Sequence, residues 1–196
     1  MIRECIVTTA DGAGKIHLAP LGIIAEGQGW VIAPFRPSTT LDNLLARPVA
    51  VANYVDDVRI FAGCLTGRRD WPTVAVEGYE VPRLAAALAH SVLSVVSVAD
   101  DGLRPRHFCR VVQEEMHGPF TGFNRAKAAV VELAILVSRL KMLPREKIEA
   151  EIAYLAIAVE KTAGPEEKEA WGWLMQRVGK HLADLDSTGK HAGAKA

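Results

Sequence analysis

The hydrophobic period of this chain changes once, near residue 120, and that change limits the folds open to it. Up to there, apolar residues come in short β-branched runs separated by turn signals. "CIVTTA", "KIHLAPLGIIAE" and "WVIAPF" are split by "DGAG" and "GQG", which predicts a meander of antiparallel strands. "VAVANYV" is a further strand. "DDVRIFAGCL" suits a short helix opened by Asp56–Asp57 acting as a cap rather than as a carboxylate pair. "TGRRDWPTVAVEGYEVP" reads as loop with one short strand. "DDG" at 100–102 is a hairpin signal between two longer strands, although the alanines of 83–90 also suit a helix. From Phe123 the spacing turns helical. Asn124 or Thr121 caps a first helix running to Leu143, Pro144 opens a second and Pro165 a third. The expected organisation is a β domain over 1–120, a three-helix appendage over 121–186 and a flexible tail over 187–196.

Composition narrows the function. Hydrophobic residues make up 49% of 196, enough for a full core. Lysines and arginines number 23 and acids 23, so the basic footprint of a nucleic-acid binder is missing. No apolar run suits a membrane span. "MIRECIVTTADG" lacks signal-peptide architecture, and Cys5, Cys64 and Cys109 form neither a CxxC pair nor a zinc spacing. The expectation is a protein of the reducing cytoplasm with no partner among membranes or nucleic acids.

One joint concentrates polar chemistry. "WVIAPFRPSTTLDNL" passes from strand to helix through Arg36, Pro37, Ser38, Thr39 and Thr40. Thr39 with Asp42 three residues on matches a capping box, and Arg36 can pair with Asp42; a helix cap therefore accounts for the pattern. The same residues suit a phosphate, because a helix N-terminus offers free N–H groups and partial positive charge beside a guanidinium and hydroxyls. Both readings stand on the pattern alone. Pro20 inside the second strand predicts a bulge or an unpaired edge, hence free backbone hydrogen-bonding groups.

"CIVTT…GKIHLAPLGI…WVIAPFRPSTTLDNL…VAVANYVDDVRIF" resembles the FMN-binding, flavin-reductase-like split-barrel proteins. Within them it is most similar to a branch found in methanogens and in methylotrophs that use methanopterin. "GFNRAKAAVVELAILVSRLKML" resembles that branch's C-terminal helical extension. The resemblance implies an α+β fold, a flavin-reductase-like split β-barrel with a C-terminal three-helix appendage, working as a homodimer with FMN near the interface. It places the phosphate at Arg36, Ser38, Thr39 and Thr40. The flavin ring falls near Thr8, Thr9, Ala19, Pro20 and Leu21, with Asn53 at its edge. The implied function is a flavin-dependent oxidoreductase, with a C1 or pterin substrate suggested by where such proteins occur. A non-enzymatic FMN carrier or sensor, and a ligand-free dimeric scaffold, remain open.

No catalytic motif stands out. Arg125, Glu132 and Arg139 recur at seven-residue spacing and share a helix face flanked by alanine and leucine, opposite Lys127, Ser138 and Lys141. The expectation is a buried stripe, either an ion network or an arm in which Arg125, oriented by Glu132, reaches substrate or cofactor. His117 in "EEMHGPF" is a surface histidine or a proton carrier. His17 lies near the flavin or merely in strand pairing. His90 and His107 have no acidic partner at ligand spacing, so no metal site is expected.

Overall fold

The computed structural model describes residues 1–100 and 102–193. Among the described residues eight strands and five α-helices follow the expected order, with one strand more than expected between residues 67 and 84. They are β1 (Ile2–Ala10), β2 (Ile16–Glu26), β3 (Gly29–Ile32), α1 (Thr39–Ala46), β4 (Val49–Val55), α2 (Arg59–Thr66), β5 (Thr73–Val76), β6 (Tyr79–Leu84), β7 (Ala87–Ala99), β8 (Arg106–Met116), α3 (Arg125–Ser138), α4 (Arg145–Thr162) and α5 (Pro165–Gly193). Contacts divide them into two units. One is Met1–Asp56 with Arg69–Thr121; the other joins Asp57–Arg68, which carries α2, to the chain from Gly122 onward.

In the first unit six strands close into a barrel in the order β1-β2-β3-β8-β7-β4. Cys5, Val7, Ile23, Ile32, Ala50, Ala52, Leu93 and Cys109 come from all six strands and form one buried cluster, so they fill the interior. Leu44 of α1 joins that cluster and plugs one end. The alternate residues Val51 and Val92 face outward. They are covered by Val76 and Val81 of the β5–β6 hairpin, where the sequence suggested a loop with a single strand. Gly29 lets β3 meet β8, because a Cβ there would overlap the Cys109 carbonyl. The alanine-rich stretch 83–90 is not helix: β6 ends at Leu84, residues 85–86 turn, and β7 starts at Ala87, where β-pairing on both sides outweighs the local preference of its alanines. Asp101, the centre of the "DDG" turn, lies outside the described residues.

In the second unit Asn124 caps α3, its side chain accepting from the N–H groups of Ala126 (2.8 Å) and Lys127 (3.1 Å). The helix stops at Ser138 instead of reaching Leu143, and Leu140–Met142 form a 3-10 turn. Val130, Leu133, Ile148, Leu174 and Val178 are buried. Arg59 of α2 pairs with Asp57 (2.7 Å), Glu166 (3.0 Å) and Glu169 (3.6 Å). α5 continues to Gly193 through most of the segment expected to be a tail, and residues 194–196 lie outside the described residues.

Candidate functional site

The joint between β3 and α1 is held from the β7–β8 turn. Arg36 donates its backbone N–H to the Leu103 carbonyl (3.0 Å), and Arg104 donates to the Ala33 carbonyl (2.9 and 3.1 Å) while stacking over Phe35. The Arg36–Pro37 bond is cis. The cap is Ser38, not Thr39: the Ser38 hydroxyl accepts from the Leu41 N–H (3.3 Å), and the extended backbone of Ser38 sets the helix start one residue earlier. That moves Asp42 beyond capping-box reach. Arg36 pairs with Asp100 (3.0 Å) rather than with Asp42, and about half of each side chain is exposed. Asp100 is held below the usual carboxylate range, chiefly by the Gly102 N–H and then by Arg36. Thr40 is buried, so the hydroxyls presented at the helix start are those of Ser38 and Thr39.

α1 packs against β1 and β2, which brings this joint beside the second feature, an open strand edge. The β1–β2 ladder runs from Ile2↔Ile24 to Ala10↔Ile16 without a register shift, so Pro20 makes no bulge. β3, in contrast, pairs with β2 only at residues 24–26. Residues 16–23 therefore have a second side with no strand on it. Pro20 has no N–H to give, and it sits opposite Ile6 at a position whose backbone points away from β1. By the two-residue period, Leu18 and Gly22 point the same way. The edge thus presents the Pro20 carbonyl and the N–H and C=O of Leu18 and Gly22, and among the described residues no other backbone hydrogen bond reaches them. Ala19 and Leu21 are turned toward Val7 and Cys5, which leaves them only side chains to offer. His17 lies opposite Thr9. Its imidazole is held below its ordinary pKa by burial and then by Arg69.

Asn53, Thr8 and Thr9 serve the barrel. The Asn53 amide donates to the Ile6 carbonyl (2.9 Å), the Thr8 hydroxyl (2.8 Å) and the Val51 carbonyl (3.1 Å), and its oxygen accepts from the Leu84 N–H (2.7 Å). Each of its polar atoms has a partner and the residue is fully buried, so it ties β1, β4 and β6 together and its N–H groups are not available to a flavin edge. Thr9 accepts from Asn43 of α1 (3.0 Å). His107, on the interior face of β8, is buried with both ring nitrogens unpartnered. Burial raises the thiols of Cys5 to about 12 and Cys109 to about 11, so neither is a nucleophile at neutral pH.

No metal site is expected from the spacing of these residues, and the fold brings His90, Glu115 and His117 together. His90 faces Glu115 in the β7–β8 register, and His117 follows the end of β8 with its N–H bonded to the Leu88 carbonyl (2.7 Å). His90 Nδ1 lies 2.8 Å from His117 Nε2, the rings are parallel within 4°, and one possible ligand atom from each of His90, Glu115 and His117 lies within 4.8 Å of the other two. His117 is no simple surface histidine, since only 15% of its side chain is exposed. Burial, followed by the neighbouring His117, holds His90 below its ordinary pKa, with Glu115 acting against them.

Profiles of DUF447, a family of proteins of unknown function, match the chain at residues 3–118 (the N-terminal domain) and again at 124–176. This chain belongs to the DUF447 family. Among curated proteins none matches its sequence. Among solved structures it is similar to an FMN-bound DUF447 protein from Methanosarcina mazei, with 21% identity and a TM-score of 0.78 over 90% of this chain and 94% of that one. An FMN-binding protein from Thermus thermophilus with bound 1-cyclohex-2-enone matches at 15% identity and TM-score 0.50, over 58% and 69% of the two chains. The flavin reductase PheA2 matches at 14% and 0.50, over 58% and 78%. At these identities the likeness is one of fold, and the DUF447 chain is a flavin-reductase-like split barrel with a C-terminal helical part.

The stripe on α3 does not behave as its spacing suggested. Arg125, Glu132 and Arg139 are exposed, and among the described residues no ion pair joins them. The buried face is Ala126, Ala129, Val130, Leu133, Ala134 and Val137, a full apolar band that leaves the seven-residue series outside it. Arg139 has also left helical geometry, with φ −118° and ψ 10°. Arg125 and Glu132 instead border a groove of about 260 Å³ with Tyr154 and Ile157. No helix among the described residues is long and apolar enough to cross a membrane.

Proposed function

We propose that this DUF447 protein binds FMN, as the relative from Methanosarcina mazei does by its name, that it holds the cofactor on its barrel unit, and that it works as a flavin-dependent oxidoreductase. One observation carries the reading: a cationic, hydroxyl-bearing helix start packs beside a strand edge with unused backbone groups. The donor set suits a terminal phosphate. The Arg36 guanidinium is half exposed, and the Ser38 hydroxyl can donate outward while its oxygen caps Leu41. Thr39 adds a second hydroxyl, and the first-turn N–H groups of α1 add the partial charge of a helix N-terminus. Asp100 opposes an anion, but an exposed ion pair contributes little, and a dianion is the stronger partner for Arg36.

The edge of β2 offers backbone groups of the kind a flavin's pyrimidine ring requires: the Pro20 carbonyl to accept from a ring N–H, and a neighbouring N–H, of Leu18 or of Gly22, to donate to a ring carbonyl. When bound, FMN supplies the hydride chemistry. The chain's own part is to anchor the phosphate, orient the ring and limit water, which fits the lack of a conventional acid, base or nucleophile at the joint. The working form in this proposal is a homodimer in a reducing cytoplasm, consistent with three buried free cysteines, and its substrate is a reduced C1 carrier of the pterin class.

The test begins with the purified protein. Flavin absorbance and stoichiometric FMN uptake are expected, and a chain that cannot take up FMN would refute the reading. Arg36→Ala should weaken FMN by more than about tenfold, or ~1.4 kcal/mol; a smaller loss removes the phosphate seat from Arg36. Anaerobic mixing with reduced nicotinamides and reduced pterins then separates enzyme from carrier, because a carrier's flavin changes redox state with none of them. Light scattering checks the dimer.

A further inference from the structure

We propose that His90, Glu115 and His117 form a binding site for a divalent transition-metal ion of the Zn²⁺ class, with at least one coordination position open to water or a small ligand. The site is independent of the flavin reading. His90, distant in sequence from the other two, meets Glu115 and His117 because the β7–β8 register sets His90 against Glu115 and the Leu88 carbonyl pins the His117 backbone. Their side chains offer two imidazoles and one carboxylate, a donor set that recurs in open zinc and related first-row sites.

The distances bring the donors within reach of one ion once the two rings turn. Two nitrogens bound at about 2.0–2.1 Å to a tetrahedral ion stand about 3.3 Å apart. His90 Nδ1 and His117 Nε2 are 2.8 Å apart with ring centroids 5.0 Å apart, so the nitrogens point at one another; the pair opens by about half an ångström and the rings turn for both lone pairs to meet one ion. Without an ion the same nitrogens share one hydrogen bond, which holds both rings in place for capture. Glu115 is more than half exposed and closes the set from the solvent side. Beside it lies a cavity of about 230 Å³ lined by Tyr54, His90, Ser91, Glu114, Glu115 and Met116, which gives room for the open position.

The charges facing His90 sharpen the choice of ion. Glu115 attracts a cation, while Arg83 opposes one. Mg²⁺ and Ca²⁺ are held by charge and by several oxygens, and this site supplies one carboxylate against a guanidinium. An ion bound through imidazole nitrogen tolerates that balance better.

The experiment uses the full chain, treated with a chelator and dialysed, with any flavin retained. Co²⁺ is titrated by its visible absorption and Zn²⁺ by calorimetry, with Mg²⁺ as competitor. One ion per chain is expected, with Zn²⁺ displacing Co²⁺ and Mg²⁺ displacing neither. His117→Ala and Glu115→Gln should each weaken binding by about tenfold or more, and His181→Ala, in α5, should leave it unchanged. No stoichiometric ion, or affinity unchanged in both site variants, overturns the proposal. Should His117→Ala fail to fold, Glu115→Gln decides alone, since that carboxylate is largely exposed and its amide keeps the shape.

Discussion

Asn53 and His90 face one another across β4 and β7 in the same register, both buried, and they use burial in opposite ways. Asn53 has a partner for every polar atom and ties three strands into one wall. His90 has one partner, another histidine, and its Nε2 has none. A buried polar group with every bond made is structure, and its removal leaves its partners stranded. A buried polar group with bonds unmade costs stability, and so points to a role the fold alone does not require. The same contrast separates the Ser38 cap from His107, whose two ring nitrogens are unpartnered on the interior face of β8.

The largest effect expected from this contrast is at Asn53. Asn53→Ala strands the Leu84 N–H and the Ile6 carbonyl and should cost about 3–5 kcal/mol in urea unfolding. A loss under about 1 kcal/mol would place Asn53 among the dispensable groups. His107→Leu should act with the opposite sign, a gain of about 1 kcal/mol, because an apolar side chain of similar volume replaces two unsatisfied nitrogens. Destabilisation there would mean that the ring is bonded to buried water. Ser38→Ala should cost about 1 kcal/mol by removing the α1 cap, and Ser38→Gly should recover most of it, as seen in thermal unfolding of the pair.

The smallest effect is at His17, whose folded-state pKa lies below its ordinary 6.5. The unfolded chain then binds more protons than the folded one in that range. Stability is full above 6.5 and falls as pH drops through 6.5 toward the lower folded value. His17→Asn should flatten that acid-side slope in unfolding measured between neutral and mildly acidic pH. An unchanged slope assigns the titration elsewhere.

What could be read in the sequence was local. Turn residues, the change of period, the Asn124 cap and the polar joint at 36–40 are each written within a few consecutive residues, and each reappears in the fold. What could not be read depends on register or on distant partners. Arg36 meets Asp100 rather than Asp42 because the β7–β8 turn lies against the joint. His90 becomes a neighbour of Glu115 and His117 only once β7 and β8 are paired in one register. The stripe on α3 misled because seven-residue spacing fixes a shared face without saying which face is buried; the wider band of alanine, valine and leucine decides that. Ser38 and Thr39 are both good caps, and only the backbone angles choose between them.

The bare edge of β2 also bears on how these molecules avoid one another in a crowded cell. Eight residues of unpaired strand are an invitation to another chain's strand, and long open edges of this kind seed aggregation. Pro20 sits in the middle of that edge. It interrupts the run of donors that an incoming strand must meet, and its ring stands where that strand's backbone would lie. A small planar ligand that needs only a few hydrogen bonds is not excluded by that gap. One proline thus refuses a strand while leaving the edge usable by something smaller.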